Sequence, residues 1–375
     1  MTDERDLFDR TIRRWSPPQP SFDRLLLRRD HKRRNRRIGS AVVALIVTAV
    51  VAVALSESFR SGRPVPAISP TPLSQVRNGR VAFVSPGEGA GFDRLYTAGP
   101  NGTGLRQITT GNVEYPVWSP DGSTIAFDDG SVIAVRDWSA ANGHIYSVKA
   151  DGTGLTQVTS GGGAEFTPVW SPDGTHMAVS AEGQSELPAG ISIVDMDTGR
   201  LSPLTANPYP GYMDKEPGYS PDGERIVFVR DRQLVEAGAP RNLSALFVVN
   251  VDGTGLRRLT TWELAVRTPS WSPDGSRILF ASGDLIPPRG GRRAQVFVIG
   301  ADGSGLRQLT SSATAVAFWP SWSPDGSRIV FTRWTFAPRR KGFELYTMRP
   351  DGSHITSYTP APLQEANSAD WGTHP

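Results

Sequence analysis

Trp271-Ser272-Pro273-Asp274-Gly275 is the stretch on which the reading of the fold turns, because the same five residues also begin at Trp118, Trp170 and Trp322. A variant opens at Tyr219 and a truncated copy, Trp371-Gly372, stands near the C-terminus, so six copies follow one another at spacings of 52, 49, 52, 51 and 49 residues. In each copy Pro presets φ, Asp can bond its own backbone two residues on, and Gly accepts a positive φ, which together make a tight turn. Residues 268–272 lead into the turn as an extended run, and residues 277–281 leave it as a second, alternating apolar strand.

A second motif interleaves with the first. Asp or Asn, then Gly, Thr or Ser, Gly and Leu, followed by a hydrophobic-Thr pair, occupies residues 101–109, 151–159, 252–260 and 302–310, with looser copies at 197–205 and 351–359. With a third strand over residues 295–299 and a fourth ending at Leu309-Thr310, each unit of about fifty residues reads as four antiparallel strands. Such a unit is a propeller blade, which buries both faces only when neighbours stack on it. The expectation is an all-β, six-bladed β-propeller. Residues 80–84 match a second strand and residues 369–371 a first strand, so the chain ends should complete one shared blade and close the ring.

Upstream of the repeats the character changes. Residues 1–37 hold twelve Arg and Lys against six Asp and Glu, so the overall +3 divides into +6 here and −3 in the remainder. Residues 38–55 carry no charge and, as a helix, would span roughly 27 Å. The basic run at 28–37 precedes this stretch, which predicts one transmembrane helix with the N-terminus in the cytoplasm and the propeller outside. The expected organisation is a basic cytoplasmic segment (1–37), a transmembrane helix (38–55), a Pro-rich linker (56–77) and a propeller (78–375), located at the cytoplasmic membrane. A cleaved signal peptide would put the propeller on the same side. The −3 balance of the large domain gives no reason to expect nucleic acid, and the absence of cysteine excludes disulfides, thiolate zinc sites and cysteine nucleophiles.

The Trp-Ser-Pro-Asp-Gly turns at Trp118, Trp170, Trp271 and Trp322 resemble the TolB-like propeller repeat, and the resemblance runs over residues 78–371. It implies the fold strongly and the ligand weakly, since such propellers include a lipoprotein-binding periplasmic protein, gates of serine peptidases and lyases acting on sugars. The repeated Trp118, Trp170, Tyr219, Trp271, Trp322 and Trp371 read as packing between blades, and Asp121, Asp173, Asp222, Asp274 and Asp325 as turn caps. Repetition in register favours capping over a cation site, the five histidines show no ligand spacing, and neither a metal nor a cofactor is expected. No Gly-x-Ser-x-Gly elbow occurs, so an attached serine hydrolase is not expected.

Long connections at residues 85–93, 128–143, 230–244, 282–294 and 333–342 fall on one face, which is read as elaborated with irregular loops, opposite a plain face of Asp-Gly turns. At its central mouth the reading places Glu114, Tyr115, Glu165, Phe166, Asp214, Lys215, Glu216, Arg267, Phe318 and Trp319, which vary between repeats and so are free to recognise a ligand. The expected role is a non-enzymatic, membrane-tethered module that binds a protein or an envelope glycan. Arg289, Arg292, Arg293, Arg339, Arg340 and Lys341 are candidates to meet an acidic envelope polymer, and residues 1–37 to meet a cytoplasmic partner. The alternatives are a transmembrane regulator of anti-sigma type, with the propeller as sensor, and a propeller lyase or hydrolase with a channel site.

Overall fold

The structure is a computed structural model that describes residues 76–373 apart from 87–92, 131–142, 161–162, 184–188, 207–211, 237–238, 284–292 and 338–339. The expected cytoplasmic segment and transmembrane helix lie outside the described residues, as do Arg289, Arg292 and Arg339 of the basic loops. Among the described residues no helix is long and apolar enough to cross a membrane.

The first three strands, β1 (Asn78–Pro86), β2 (Asp93–Ala98) and β3 (Arg106–Gln107), wait for a partner from the other end of the chain. Blade 1 is β4 (Glu114–Trp118), β5 (Thr124–Asp128), β6 (Ile145–Lys149) and β7 (Thr156–Gln157). Blade 2 is β8 (Glu165–Trp170), β9 (His176–Ala181), β10 (Gly190–Asp195) and β11 (Leu201–Pro203). Blade 3 is β12 (Tyr212–Tyr219), β13 (Arg225–Glu236), β14 (Ala239–Asn250) and β15 (Arg257–Arg258). Blade 4 is β16 (Val266–Trp271), β17 (Arg277–Ser282), β18 (Gln295–Gly300) and β19 (Arg307–Gln308). Blade 5 is β20 (Ala315–Trp322), β21 (Ile329–Ala337), β22 (Arg340–Met348) and β23 (Thr356–Ser357). The last strand, β24 (Asn367–Thr373), pairs antiparallel with β1 and makes blade 6, so six four-stranded sheets form a closed propeller. Strands β24, β4, β8, β12, β16 and β20 contact one another in sequence around the centre and back to the start.

The second strand of each blade is covered on both sides, so it is buried as a continuous run, as over residues 278–282, and not on alternate residues as expected from the sequence. Phe83, Phe228, Phe280 and Phe331 on these strands are essentially inaccessible. In five blades the phenylalanine lies directly opposite an aromatic of the third strand: Phe83 and Tyr96, Phe127 and Tyr146, Phe228 and Phe247, Phe280 and Phe297, Phe331 and Tyr346, with centroids 5.8 to 6.1 Å apart. Such cross-strand pairs add about 0.5–1.5 kcal/mol each beyond their burial. Blade 2 has Val179 opposite Ser192 instead.

Each repeated tryptophan sits between two blades. Trp118 packs among Ala82, Val84 and Leu95 of blade 6 and Ile125 and Phe127 of its own blade, and Trp371 among Val330 and Leu345 of blade 5 and Val81 and Phe83. The turn aspartates accept from the backbone two residues on: Asp121 Oδ1 takes Ser123 N at 3.0 Å and Ser119 Oγ at 2.6 Å, and Asp173, Asp222, Asp274 and Asp325 do the same. The threonine ending the second motif has a definite task. In all six blades its hydroxyl accepts the N–H of a third-strand residue, as Thr260 Oγ1 does from Leu246 at 2.9 Å.

Two of the expected irregular loops are regular β-ribbons. β13 and β14 stay paired as far as Glu236 and Ala239, and β21 and β22 as far as Ala337 and Arg340. Residues 230–236 contain neither Gly nor Pro to stop the ladder, and residues 332–336 are Thr, Arg, Trp, Thr and Phe, mostly β-formers, so pairing continues past the blade. Both ribbons rise on the face opposite the Asp-Gly turns, from blades 3 and 5.

Candidate functional site

All six innermost strands break their ladder at an equivalent place. The register shifts between Glu114 and Val117, Phe166 and Val169, Lys215 and Gly218, Arg267 and Ser270, Phe318 and Ser321, and again in the pairing of β24 with β1. In each bulge one non-glycine residue is left-handed, with φ between 47° and 54°: Tyr115, Thr167, Glu216, Thr268, Trp319 and Ser368. Five of these precede a proline (Pro116, Pro168, Pro217, Pro269 and Pro320), which disfavours the right-handed helical region for them. A left-handed conformation costs an L-residue about 1–2 kcal/mol, and more for β-branched Thr167 and Thr268, so the fold holds six strained positions in one ring.

These six residues, with the two that follow each of them, line a cavity of about 230 Å³ on the propeller axis. A larger hollow of about 680 Å³ beside the turns of blade 4 is lined by Ser276, Arg277, Asp302, Ser304 and Arg307, residues that belong to the repeat.

Bulging frees backbone donors, and neighbouring blades supply acceptors. Thr167 N donates to Asp128 Oδ2 at 3.1 Å, Glu216 N to Ser180 Oγ at 2.9 Å, and Thr268 N to Glu216 Oε2 at 2.5 Å. Asp128 and Ser180 occupy equivalent places on their second strands, whereas blade 3 has Val229 there and Glu216 reaches across instead. Tyr115 and Trp319 meet edge to face, centroids 5.8 Å apart at 87°. They flank β24, whose small Ser368 lets the rings touch.

Of the residues expected at the mouth, Tyr115, Glu216 and Trp319 line the cavity. The others are placed elsewhere. Glu165 is buried with its carboxylate 3.5 Å from His144 Nδ1, and Asp214 is buried in a bidentate pair with Arg230 at 2.5 and 2.6 Å. Lys215 pairs with Asp231 at 2.7 Å, and Phe318 lies in an apolar cluster with Ala281, Ala294 and Val316. Phe166 and Arg267 stand one position before the left-handed residue and are not in the lining, and Glu114 faces Asp128 across the strand pair. Thr167, Thr268 and Ser368 line the cavity and were not anticipated. Their signal was present, because each left-handed residue stands three before the repeated Trp or Tyr and, in five cases, directly before Pro.

One sector beside the mouth is strongly acidic. Burial pushes Glu114 up to about 8, helped by Asp128, Asp93 and Asp129, and burial pushes Asp128 up to about 7. Burial also raises Asp93, Glu165 and Asp370, and it raises the Tyr115 phenol, with Glu114, Glu216 and Asp128 adding to it and Arg267 opposing. Among the described residues no group of three His, Cys, Asp or Glu is arranged to hold a metal ion. The lining offers aromatic surface, hydroxyls, proline rings and the carboxylates of Glu216 and Asp370. It is equipped to bind by stacking, hydrogen bonding and charge.

Comparison with known proteins bears on the fold first. The sequence profile described as "TolB beta propeller domain" matches residues 54–239. The protein TolB homolog of Chlorobium luteolum is 31% identical over 141 residues, 37% of this chain and 28% of that protein. The uncharacterized peptidase YuxL of Bacillus subtilis is 27% identical over 199 residues, 46% of this chain and 29% of its own length. The chain thus spans under a third of the length of these two relatives. The crystal structure of TolB from Acinetobacter baumannii superposes with a TM-score of 0.57 at 22% identity, covering 78% of this chain and 66% of that one.

Proposed function

Since this chain is a TolB-like β-propeller protein, we propose that it is a binding module of the bacterial envelope that holds a segment of a partner protein at the central mouth of its propeller. The observation that carries the reading is the ring of six left-handed residues. Backbone strain there is uniform, yet the side chains are Tyr, Thr, Glu, Thr, Trp and Ser, so at this position the repeat keeps its geometry while its sequence varies. Residues that maintain blades repeat, whereas those that differ at a fixed geometry are available for recognition. The two β-ribbons of blades 3 and 5 rise on the face toward which the innermost strands begin, and they give an arriving segment walls to lie between.

The proposal includes a tether. Residues 38–55 act as a single membrane-spanning helix, with residues 1–37 in the cytoplasm and the propeller outside. The role is adhesive rather than catalytic.

The test is capture from native membranes with the full-length chain as bait, beside a variant carrying Tyr115→Asn, Glu216→Asn and Trp319→Asn. Asparagine is chosen because it tolerates a left-handed backbone. A partner held by the parent and released by the folded variant supports the mouth as the site. Identical partners on both baits would refute it.

A further inference from the structure

Aromatic rings and a carboxylate face one small cavity, and a single ligand chemistry satisfies both. Resting on the reading of the mouth as a binding site, we infer that it receives an organic ammonium group, the side chain of a lysine in the bound segment.

Tyr115 and Trp319 meet at 87°. Two rings so disposed form the walls of a corner, and an aromatic face is the negative end of the ring quadrupole, attractive to a cation within about 6 Å. Phe318 sets one wall, its ring 4.6 Å from that of Trp319. The third side is Glu216. Its Oε2 accepts from Thr268 N at 2.5 Å, while Oε1 takes no hydrogen bond from the described residues. Glu216 and Arg267 act on the Tyr115 hydroxyl with opposite signs, while Glu114 and Asp128, raised to about 8 and about 7, carry little or partial charge at neutral pH, so Glu216 is the carboxylate that the lining offers to a cation beside the rings.

The same details choose between cations. A guanidinium prefers a planar, two-toothed grip on a carboxylate, and Thr268 already occupies one oxygen of Glu216. An ammonium needs one oxygen and is compact. The cavity, about 230 Å³, lies below the range of about 300–1,000 Å³ of sites for drug-sized ligands, and Pro116, Pro168, Pro217, Pro269 and Pro320 offer apolar walls to a methylene stem.

The experiment uses the full-length chain labelled with 5-fluorotryptophan and read by fluorine NMR, the resonance of Trp319 being identified by its loss in Trp319→Phe. It is titrated with acetyl-lysine-methylamide, acetyl-norleucine-methylamide and acetyl-arginine-methylamide. The expected result is a shift of the Trp319 resonance by the lysine compound at a concentration about tenfold below that of the norleucine compound. In Glu216→Gln, which keeps an acceptor for Thr268 N, that preference should fall to about threefold or less. Equal responses to lysine and norleucine would overturn the ammonium inference and leave the mouth as an apolar peptide site. A stronger response to arginine would overturn the choice of ammonium. No response to any of the three would overturn the inference outright, while the capture experiment, which does not use these probes, still decides the mouth.

Discussion

Replacing Asp370 with alanine tests how the ring is kept shut. Its half-buried carboxylate accepts Trp118 N at 2.9 Å through Oδ2 and Ser321 Oγ at 2.8 Å through Oδ1. One side chain on β24 of blade 6 therefore holds blade 1 on one side and blade 5 on the other. A hydrogen bond to a charged group contributes about 1.5–3 kcal/mol, and burying the charge, which raises the pKa of Asp370, offsets part of two such bonds. Asp370→Ala should cost about 3 kcal/mol, since it also leaves Trp118 N–H without an acceptor. Asp370→Asn should cost about 1 kcal/mol, because the amide oxygen can serve Trp118 N while the amide nitrogen donates to Ser321, whose hydroxyl can also accept. The assay is urea unfolding of parent and both variants at neutral pH, with slopes compared to confirm that the same surface unfolds. Equal losses for alanine and asparagine, or a loss under about 1 kcal/mol for alanine, would refute the account of closure.

Glu114 and Asp128 have folded-state values of about 8 and about 7, above their ordinary ones, so the folded chain binds more protons than the unfolded chain across that interval. Their contribution is complete below about pH 4 and is lost as the pH rises through 7 to 8; a melting temperature that falls from pH 5 to pH 9, and falls less in Glu114→Gln, is expected. Arg230→Met removes the guanidinium bonded to buried Asp214 and should cost about 3–5 kcal/mol, much of it recovered by adding Asp214→Asn. Thr260→Val deletes the acceptor for Leu246 N at a cost of about 1–2 kcal/mol, and Thr310→Val should cost more because that hydroxyl also donates to Gln295 at 2.8 Å. Thr268→Asn relieves a β-branched residue at φ 49° whose hydroxyl finds no partner among the described residues, and a gain of about 0.5–1 kcal/mol in thermal unfolding is expected.

The blade repeat was legible because its turns need particular residues. Pro, Asp and Gly in order leave few alternatives, and their period sets the blade count and the sharing of blade 6 between the chain ends. The mouth was harder to read. Phe166 and Arg267 were expected at the mouth because they lead into the Trp strands and vary between repeats; each strand bulges at the next residue, so Thr167 and Thr268 line the cavity instead. Asp214 and Glu165 were expected at the mouth as recognition residues, yet their burial goes with Arg230 sixteen positions away and His144 twenty-one away, partners that no local pattern reveals. The ribbon of blade 3 was read as an irregular loop because it is one of the long connections between the second and third strands. In the fold its charges pair across strands, as Lys215 does with Asp231.

Ring closure has a mechanical meaning as well. The chain joins the propeller at Asn78, whose side-chain oxygen accepts from Asp325 N at 3.2 Å on the Asp-Gly face, and it leaves through Thr373, whose hydroxyl donates to Pro120 O at 2.8 Å on the same face. β1 lies between β24 and β2 with ladders on both edges. A pull on residue 76 along the axis of β1 would therefore load both ladders in shear, all bonds sharing the force, whereas a pull on residue 373 sideways would peel β24 away one bond at a time. Gly372 sits so close to the Trp118 ring that a Cβ there would lie 2.6 Å from it, so the peeling end is also wedged against blade 1. A ring assembled this way resists tension along its closing strands and yields to a pull that lifts the last one off the sheet edge.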